Sequence, residues 1–327
     1  MLIEEYISYI SVIRRYSPRT VKAYQDVLQG FAEYSCPEDD RGDEALLKVL
    51  RPLMIRNYEV HLMDNRGLSP RSVNLHLSAL SGLCRWLVKQ GRLKTNPVSQ
   101  VKKPKVEKRL PSFYRREAMD AYLAATAPDA GEDMLQVLEA DMAQATPEAL
   151  AHAGKLYEKR LSRLVVNLLY CTGIRRAELI GLDLRGYDRS RSVLHVRGKG
   201  DKMRDIPLVE SAADELELYL RAKSAFLGET GEDALLLTPT GRRLYPQFVD
   251  RAVKGELIEH EGFTGRRSPH VLRHTLATEL MDEGTDLNSI KELLGHSSLA
   301  ATQVYTHNSV SRLSKVYMAA HPRAKKK

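Results

Sequence analysis

The sequence predicts a chain that is mainly α with a small β-sheet, an α+β arrangement, on three observations. The segments Ser17-Pro18-Arg19-Thr20-Val21 and Ser69-Pro70-Arg71-Ser72-Val73 share one helix-start signal, with Ser at the N-cap and Pro at the first helical position. Apolar residues recur at helical spacing through most of the first hundred positions and again in later segments. A single region, Val193 to Leu208, reads as strand, turn, strand.

In chain order, the first start signal opens a helix after Ser17. The second opens a helix whose apolar face, Val73, Leu77, Leu80, Leu83, Trp86 and Leu87, runs to a stop at Gly91, a core-facing stripe. Asn96-Pro97-Val98 ends this helical region, residues 1–100, and residues 101–111 read as an extended basic linker in which Pro104 and Pro111 oppose helix. The second domain, residues 112–327, begins with a helix over Arg116 to Ala125, followed by an acidic, Ala-rich stretch. Ser162 to Tyr170 is strongly apolar and stops at Cys171-Thr172-Gly173, and a helical pattern resumes over Arg175 to Leu182. Val193 to Arg197 and Met203 to Leu208 flank Gly198-Lys199-Gly200-Asp201 as a β-hairpin. Helix returns over Ala212 to Phe226, Pro246 to Val253, Pro269 to Glu283, Asp286 to Leu294 and Ser309 to Ala320.

A length of 327 residues suits two domains at roughly 100–200 residues each. No stretch approaches the ~18 uninterrupted apolar residues of a membrane helix, and the first ten residues carry two acids where a signal peptide is basic. The expectation is a soluble, cytoplasmic protein. Cys36, Cys84 and Cys171 are widely spaced with no CxxC pair, which supports neither a disulfide framework nor a zinc site. No GxGxxG or GxxxxGK[ST] indicates a nucleotide site.

The net charge is +8, and its distribution says more than its total. Residues 1–105 carry a net +6, whereas residues 127–160 carry −4. Two basic lobes interrupted by an acidic segment favour a polyanionic partner, nucleic acid before membrane. Arg19 and Arg71, just inside helix starts, and Lys102, Lys103 and Lys105 in the linker are the candidate DNA contacts, for the first two because helix N-termini favour phosphate. Ordinary solvation is the competing explanation for each.

Five clusters in the second domain place a phosphate-compatible donor or a nucleophile beside a structural breaker. In Thr172-Gly173-Ile174-Arg175-Arg176-Ala177-Glu178-Leu179 a Gly turn presents Arg175, with Glu178 one helical turn on to hold its guanidinium. Lys199 stands at a hairpin tip between glycines. In Ser268-Pro269-His270-Val271-Leu272-Arg273-His274-Thr275, His270 and Arg273 share a face near the positive end of a helix, while His274 reads as a hydrogen-bonded packing residue. His296 follows Gly295 at a helix end, and Thr302-Gln303-Val304-Tyr305-Thr306-His307 offers Tyr305 as a nucleophile. Taken singly, an ion pair, a solvated lysine or a core histidine explains each.

Together these clusters resemble the tyrosine recombinases, in particular the Xer and phage or transposon integrase branch. TGIRRAEL resembles the first arginine motif, GKGDKMR the hairpin with the active lysine, HVLRH the His-x-x-Arg motif, LGHSS the second histidine motif and VYTH the nucleophile motif. Six positions in family order are filled: Arg175, Lys199, His270, Arg273, His296 and Tyr305. The resemblance implies a helical, SAM-like core-binding domain followed by a catalytic domain, and a site-specific recombinase that cuts and rejoins DNA. Tyr305 would form a 3′-phosphotyrosyl link, a task for which a phenol with a reference pKa near 10 needs help. Arg175 and Arg273 would bind the non-bridging oxygens and His296 would add a donor. Lys199 would protonate the departing 5′-hydroxyl and His270 would assist proton transfer at the tyrosine.

The resemblance implies no metal and no other cofactor, because the phosphodiester energy is kept in the covalent link. It implies four protomers around two duplexes with inverted-repeat core sites and a Holliday junction between two rounds of strand exchange. Residues 308–320, with Leu313, Val316 and Tyr317 as an apolar face, resemble the C-terminal helix that docks cyclically on a neighbouring protomer; packing within the chain is the alternative. Two features depart from the pattern. Residues 127–160 are longer than Xer relatives carry and read as an inserted helical hairpin, and Arg176-Ala177 replaces the usual Ile-Ser or Val-Ser. Chromosome dimer resolution and mobile-element movement both stay open, as does dependence on a second recombinase or a DNA translocase. A type IB topoisomerase and a DNA-binding protein without catalysis are the competing functions.

Overall fold

The computed structural model describes residues 1–37, 40, 42–106, 112–127, 131–198 and 201–295, with backbone alone for 131–133. Lys199, His296, Tyr305 and the expected helix 308–320 therefore lie outside the described residues, as does 107–111 of the linker. The chain divides into two compact units, Met1–Arg109 and Leu110–Lys327.

The first unit is helical. It comprises α1 (Leu2–Ser8), α2 (Pro18–Ser35), α3 (Asp43–Val49), α4 (Pro52–Val60) and α5 (Pro70–Lys89), with α1 and α4 each running on into a π turn. Both serine caps form: Ser17 Oγ accepts from the Thr20 N–H at 3.2 Å and Ser69 Oγ from the Ser72 N–H at 3.3 Å, which satisfies an orphan donor at each helix start. Val73, Leu77, Leu80, Leu83, Trp86 and Leu87 on α5 are buried against Tyr6, Ile10 and Phe31. Asn96 caps the short 3₁₀ turn Pro97–Gln100, and Lys102, Lys103 and Lys105 beyond it are exposed and without regular structure.

The second unit wraps helices around one long central helix. It comprises α6 (Arg116–Ala125), α7 (Gly131–Gln144), α8 (Pro147–Thr172) and α9 (Arg176–Ile180), then β1 (Tyr187–Asp188), β2 (Val193–Arg197) and β3 (Met203–Pro207). The helices α10 (Glu210–Leu227), α11 (Pro246–Ile258), α12 (Pro269–Asp282) and α13 (Leu287–Leu294) follow. The sheet is antiparallel in the order β1-β2-β3, and its register places His195 opposite Asp205; these two side chains pair at 2.6 Å. The two-residue strand β1 is too short for an alternating pattern to announce it.

The acidic segment is helical, but it is not an appendage. Its second arm does not stop at residue 160; α8 continues without a break to Thr172. From Leu161 to Thr172 almost every side chain of α8 is buried, the signature of a helix covered on all sides, and α7, α10, α11 and α12 pack against it. Leu135 and Leu138 of α7 belong to the same core. Arg163 reaches Glu215 of α10, donates to Thr126 Oγ1 at 3.0 Å and to the Leu123 carbonyl at 3.1 Å, so one guanidinium ties three helices.

Gly173 ends α8 in the left-handed region, φ 60°, and turns the chain directly into Arg175. A Cβ there would stand 2.5 Å from Leu294 Cδ2 and 3.0 Å from Leu276 Cδ2, so both backbone and packing demand glycine. Gly173→Ala should cost about 1 kcal/mol or more, read as a lower urea midpoint at unchanged slope. An unchanged midpoint would show that α12 and α13 yield freely at this crossing.

Candidate active site

Arg175 occupies the N-cap of α9, placed there by the Gly173 turn. Its backbone N–H donates to Glu178 Oε2 at 2.8 Å, its Nη1 to Glu178 Oε1 at 2.7 Å and its Nη2 to the Gly295 carbonyl at 2.9 Å. Glu178 thus holds Arg175 at both ends while 34% of the arginine side chain remains open to solvent. Burial works against ionisation of Glu178, yet hydrogen bonds from Arg204 and from the Arg175 backbone outweigh it and hold the carboxyl below its usual range.

Arg273, on α12, is buried. Its Nη1 donates to the Gly173 carbonyl and its Nη2 to the Leu294 carbonyl, the latter at 2.6 Å. Both arginines therefore converge on Leu294-Gly295, the last two residues before His296 in the chain. Burial, with the guanidinia of Arg175 and Arg204 close by, pushes Arg273 down to about 10, which leaves it charged at neutral pH. His270, one turn earlier on α12, is exposed. Partial desolvation of the ring and then the guanidinia of Arg176, Arg266 and Arg273 hold its imidazole below the ordinary value, which favours the neutral form that can accept a proton.

One expectation needs correcting. His274 is exposed and does not pack, because the buried stripe of α12 is Val271, Leu272, Thr275, Leu276, Glu279 and Leu280, and position 274 falls off it. Arg19 and Arg71 are exposed at the starts of α2 and α5. A further residue, Arg204 on β3, was not among the candidate site residues. It is buried and donates to Glu178 Oε1 at 3.2 Å, Glu178 Oε2 at 2.7 Å and the Leu293 carbonyl at 3.1 Å. Its signal in the sequence is slight: a lone charged residue on the inward-facing parity of a strand, with Ile206 two positions on.

A family model described as the phage integrase family matches residues 139–312, and one described as the phage integrase N-terminal SAM-like domain matches residues 3–91. The chain belongs to the phage integrase family. Its relatives include tyrosine recombinase XerC of Chlorobaculum parvum, 34% identical over 98% of this chain and 94% of that one. Tyrosine recombinase XerC of Escherichia coli O127:H6 is 33% identical over 99% of this chain and 97% of that one. Among solved structures, the Tn1549 transposon integrase in complex with transposon right end DNA superposes with a TM-score of 0.62 at 18% identity, covering 98% of this chain and 99% of that one, a likeness of fold. A SAM-like helical unit precedes an integrase catalytic unit, and the enzyme is a site-specific DNA recombinase of the tyrosine type, Xer-like, that breaks and rejoins DNA.

The helix that carries His270 and Arg273 also carries a titrating group at its far end. Glu279 accepts from the Tyr170 hydroxyl at 2.7 Å, and burial raises its carboxyl from 4.5 to about 7. The folded chain thus retains a proton that the unfolded chain releases near 4.5. The resulting stability is fully present below that pH and is lost as pH rises through about 7. Glu279→Gln keeps an acceptor for Tyr170 and abolishes the titration, so between about pH 5 and about pH 8 its Tm should fall less than that of the wild type. Equal falls in thermal unfolding would place the titration elsewhere.

Proposed function

We propose that this recombinase acts at short inverted-repeat core sites in double-stranded DNA through the six residues Arg175, Lys199, His270, Arg273, His296 and Tyr305. The observation that carries the assignment is the convergence of Arg175 and Arg273 on the carbonyls of Gly295 and Leu294, at 2.9 and 2.6 Å, beside His270 on the Arg273 helix. Two fixed guanidinia neutralise the non-bridging oxygens of the scissile phosphate and stabilise the charge that builds in the transition state. Tyr305 Oη attacks phosphorus as its proton leaves toward His270. The P–O5′ bond breaks, and Lys199 protonates the departing oxygen. His296 supplies a further donor. One P–O bond is exchanged for another, so religation by a 5′-hydroxyl returns the tyrosine unchanged and the cycle consumes neither ATP nor metal.

Arg19, Arg71, Lys102, Lys103 and Lys105, all exposed, contact the DNA backbone in this reading. Four protomers assemble on two duplexes, and residues 308–320 dock on the neighbouring protomer. In this reading the recombination resolves chromosome dimers or moves a mobile element, by the same chemistry in either case, in the cytoplasm and on the nucleoid.

Covalent trapping tests the reading. Wild type and Tyr305→Phe are incubated in EDTA with nicked suicide duplexes carrying inverted repeats from the host chromosome or from the flanks of the gene. A denaturing gel should show a protein–DNA adduct with the wild type and none with the variant, while gel shifts show both binding DNA. The reactive duplex assigns the biological role. No adduct on any duplex the protein binds would favour an architectural DNA-binding protein.

A further inference from the structure

We propose that Arg204 is a positioning residue for the phosphate-binding arginines: it fixes the Glu178 carboxylate behind Arg175 and the end of α13 beneath Gly295, and so sets where both guanidinia can meet a phosphate. The inference rests on the functional reading above.

The described partners of Arg204 are all protein acceptors in the interior. Nη1 and Nη2 straddle the two oxygens of Glu178, and Nε turns the other way to the Leu293 carbonyl at 3.1 Å. This is the two-pronged pairing that a planar guanidinium makes and an ammonium cannot. The same carboxylate takes two bonds from Arg175, at 2.7 and 2.8 Å. Glu178 is therefore a shared anvil whose position Arg204 dictates from behind.

The surroundings are shaped to the Arg204 side chain. A Cβ on Gly198 would approach Arg204 Nη1 to 3.3 Å, and one on Gly295 would approach Nη1, Cζ and Nε to 3.1, 3.2 and 3.3 Å. The start of α9, the end of α13 and the β2–β3 hairpin thus meet on one guanidinium.

The charge count gives this arrangement a chemical purpose. Among the described residues, Arg175, Arg204 and Arg273 stand around a single ionised carboxylate, Glu178. Two positive charges are left over, which matches the two negative charges that a phosphodiester carries once it has become pentacoordinate. Arg204 neutralises Glu178, so that Glu178 orients Arg175 without cancelling its charge at the phosphate.

The test uses the full-length protein, with Arg204→Lys, which preserves charge but not the fork, and Gly198→Ala, which leaves Arg204 in place and crowds Nη1. Single-turnover cleavage is measured on a suicide duplex with an ordinary scissile phosphate, on one with a neutral methylphosphonate there, and on one with a 5′-bridging sulfur. DNA affinity and thermal unfolding are followed alongside. Arg204→Lys should cleave the ordinary duplex about a hundredfold more slowly, the cost of a misplacement near 1 Å, and Gly198→Ala should lose less in the same direction. On the methylphosphonate, where no charge remains for Arg175 to meet, both variants should run close to the wild type.

Wild-type rates for both variants on the ordinary duplex would overturn the proposal. So would losses equal on all three duplexes, or rescue by bridging sulfur alone, which would place the lesion at the leaving group. If Arg204→Lys does not fold, Gly198→Ala decides by the same comparison. A wild type that forms no adduct would defeat the functional reading itself, a result distinct from any of these.

Discussion

A buried carboxylate shared by two guanidinia governs the geometry of the catalytic unit. Glu178 lies inside the protein, and a lone charge there would cost several kcal/mol; four hydrogen bonds from Arg175 and Arg204 offset that cost. Because those donors come from the cap of α9 and from β3, with Arg204 also gripping the end of α13, satisfying one charge draws three distant stretches of chain together. The fold around the site follows from having to bring those stretches to one point.

The central helix α8 makes the convergence possible. Its C-terminal half is buried among α7, α10, α11 and α12, and interior side chains packed at crystalline density leave little freedom of position. Where it ends, Gly173 lies against Leu276 of α12 and Leu294 of α13, and its carbonyl accepts from Arg273. The same glycine thus terminates the helix, admits its neighbours and orients a functional guanidinium. Such economy leaves few silent substitutions at this crossing.

Electrostatics separates the roles of the chain's parts. Positive charge gathers in the first unit, on the linker and in the Arg175, Arg204 and Arg273 cluster, while α7 and α8 carry acids of the 127–160 segment, Glu139, Asp141, Glu148 and Glu158 among them. A phosphate backbone is attracted to the former and repelled by the latter. The acidic arms also pair internally, with Asp141 bound to His152 at 2.7 Å, and their inner faces, including Leu135 and Leu138, belong to the common core.

Local physics was legible in the sequence wherever cause and effect lie within a few residues. The serine caps of α2 and α5, the β2–β3 hairpin and the Arg175–Glu178 pair each depend on a spacing of three or four positions or on a turn, and the order of the motifs carried the family. Other features depend on which helix crosses which. The carbonyls that hold Arg273 are 100 and 21 residues away. The Glu178 that explains buried Arg204 is 26 residues away, and the apolar stripe that leaves His274 outside is defined by the elements packed on α12. The continuity of α8 past residue 160 is of the same kind, since an acidic amphipathic stretch and an apolar one become a single helix only when neighbours bury the second half. Hydrogen bonds at short sequence separation can be read from spacing; a buried charge finds its partner only after the backbone has closed around it.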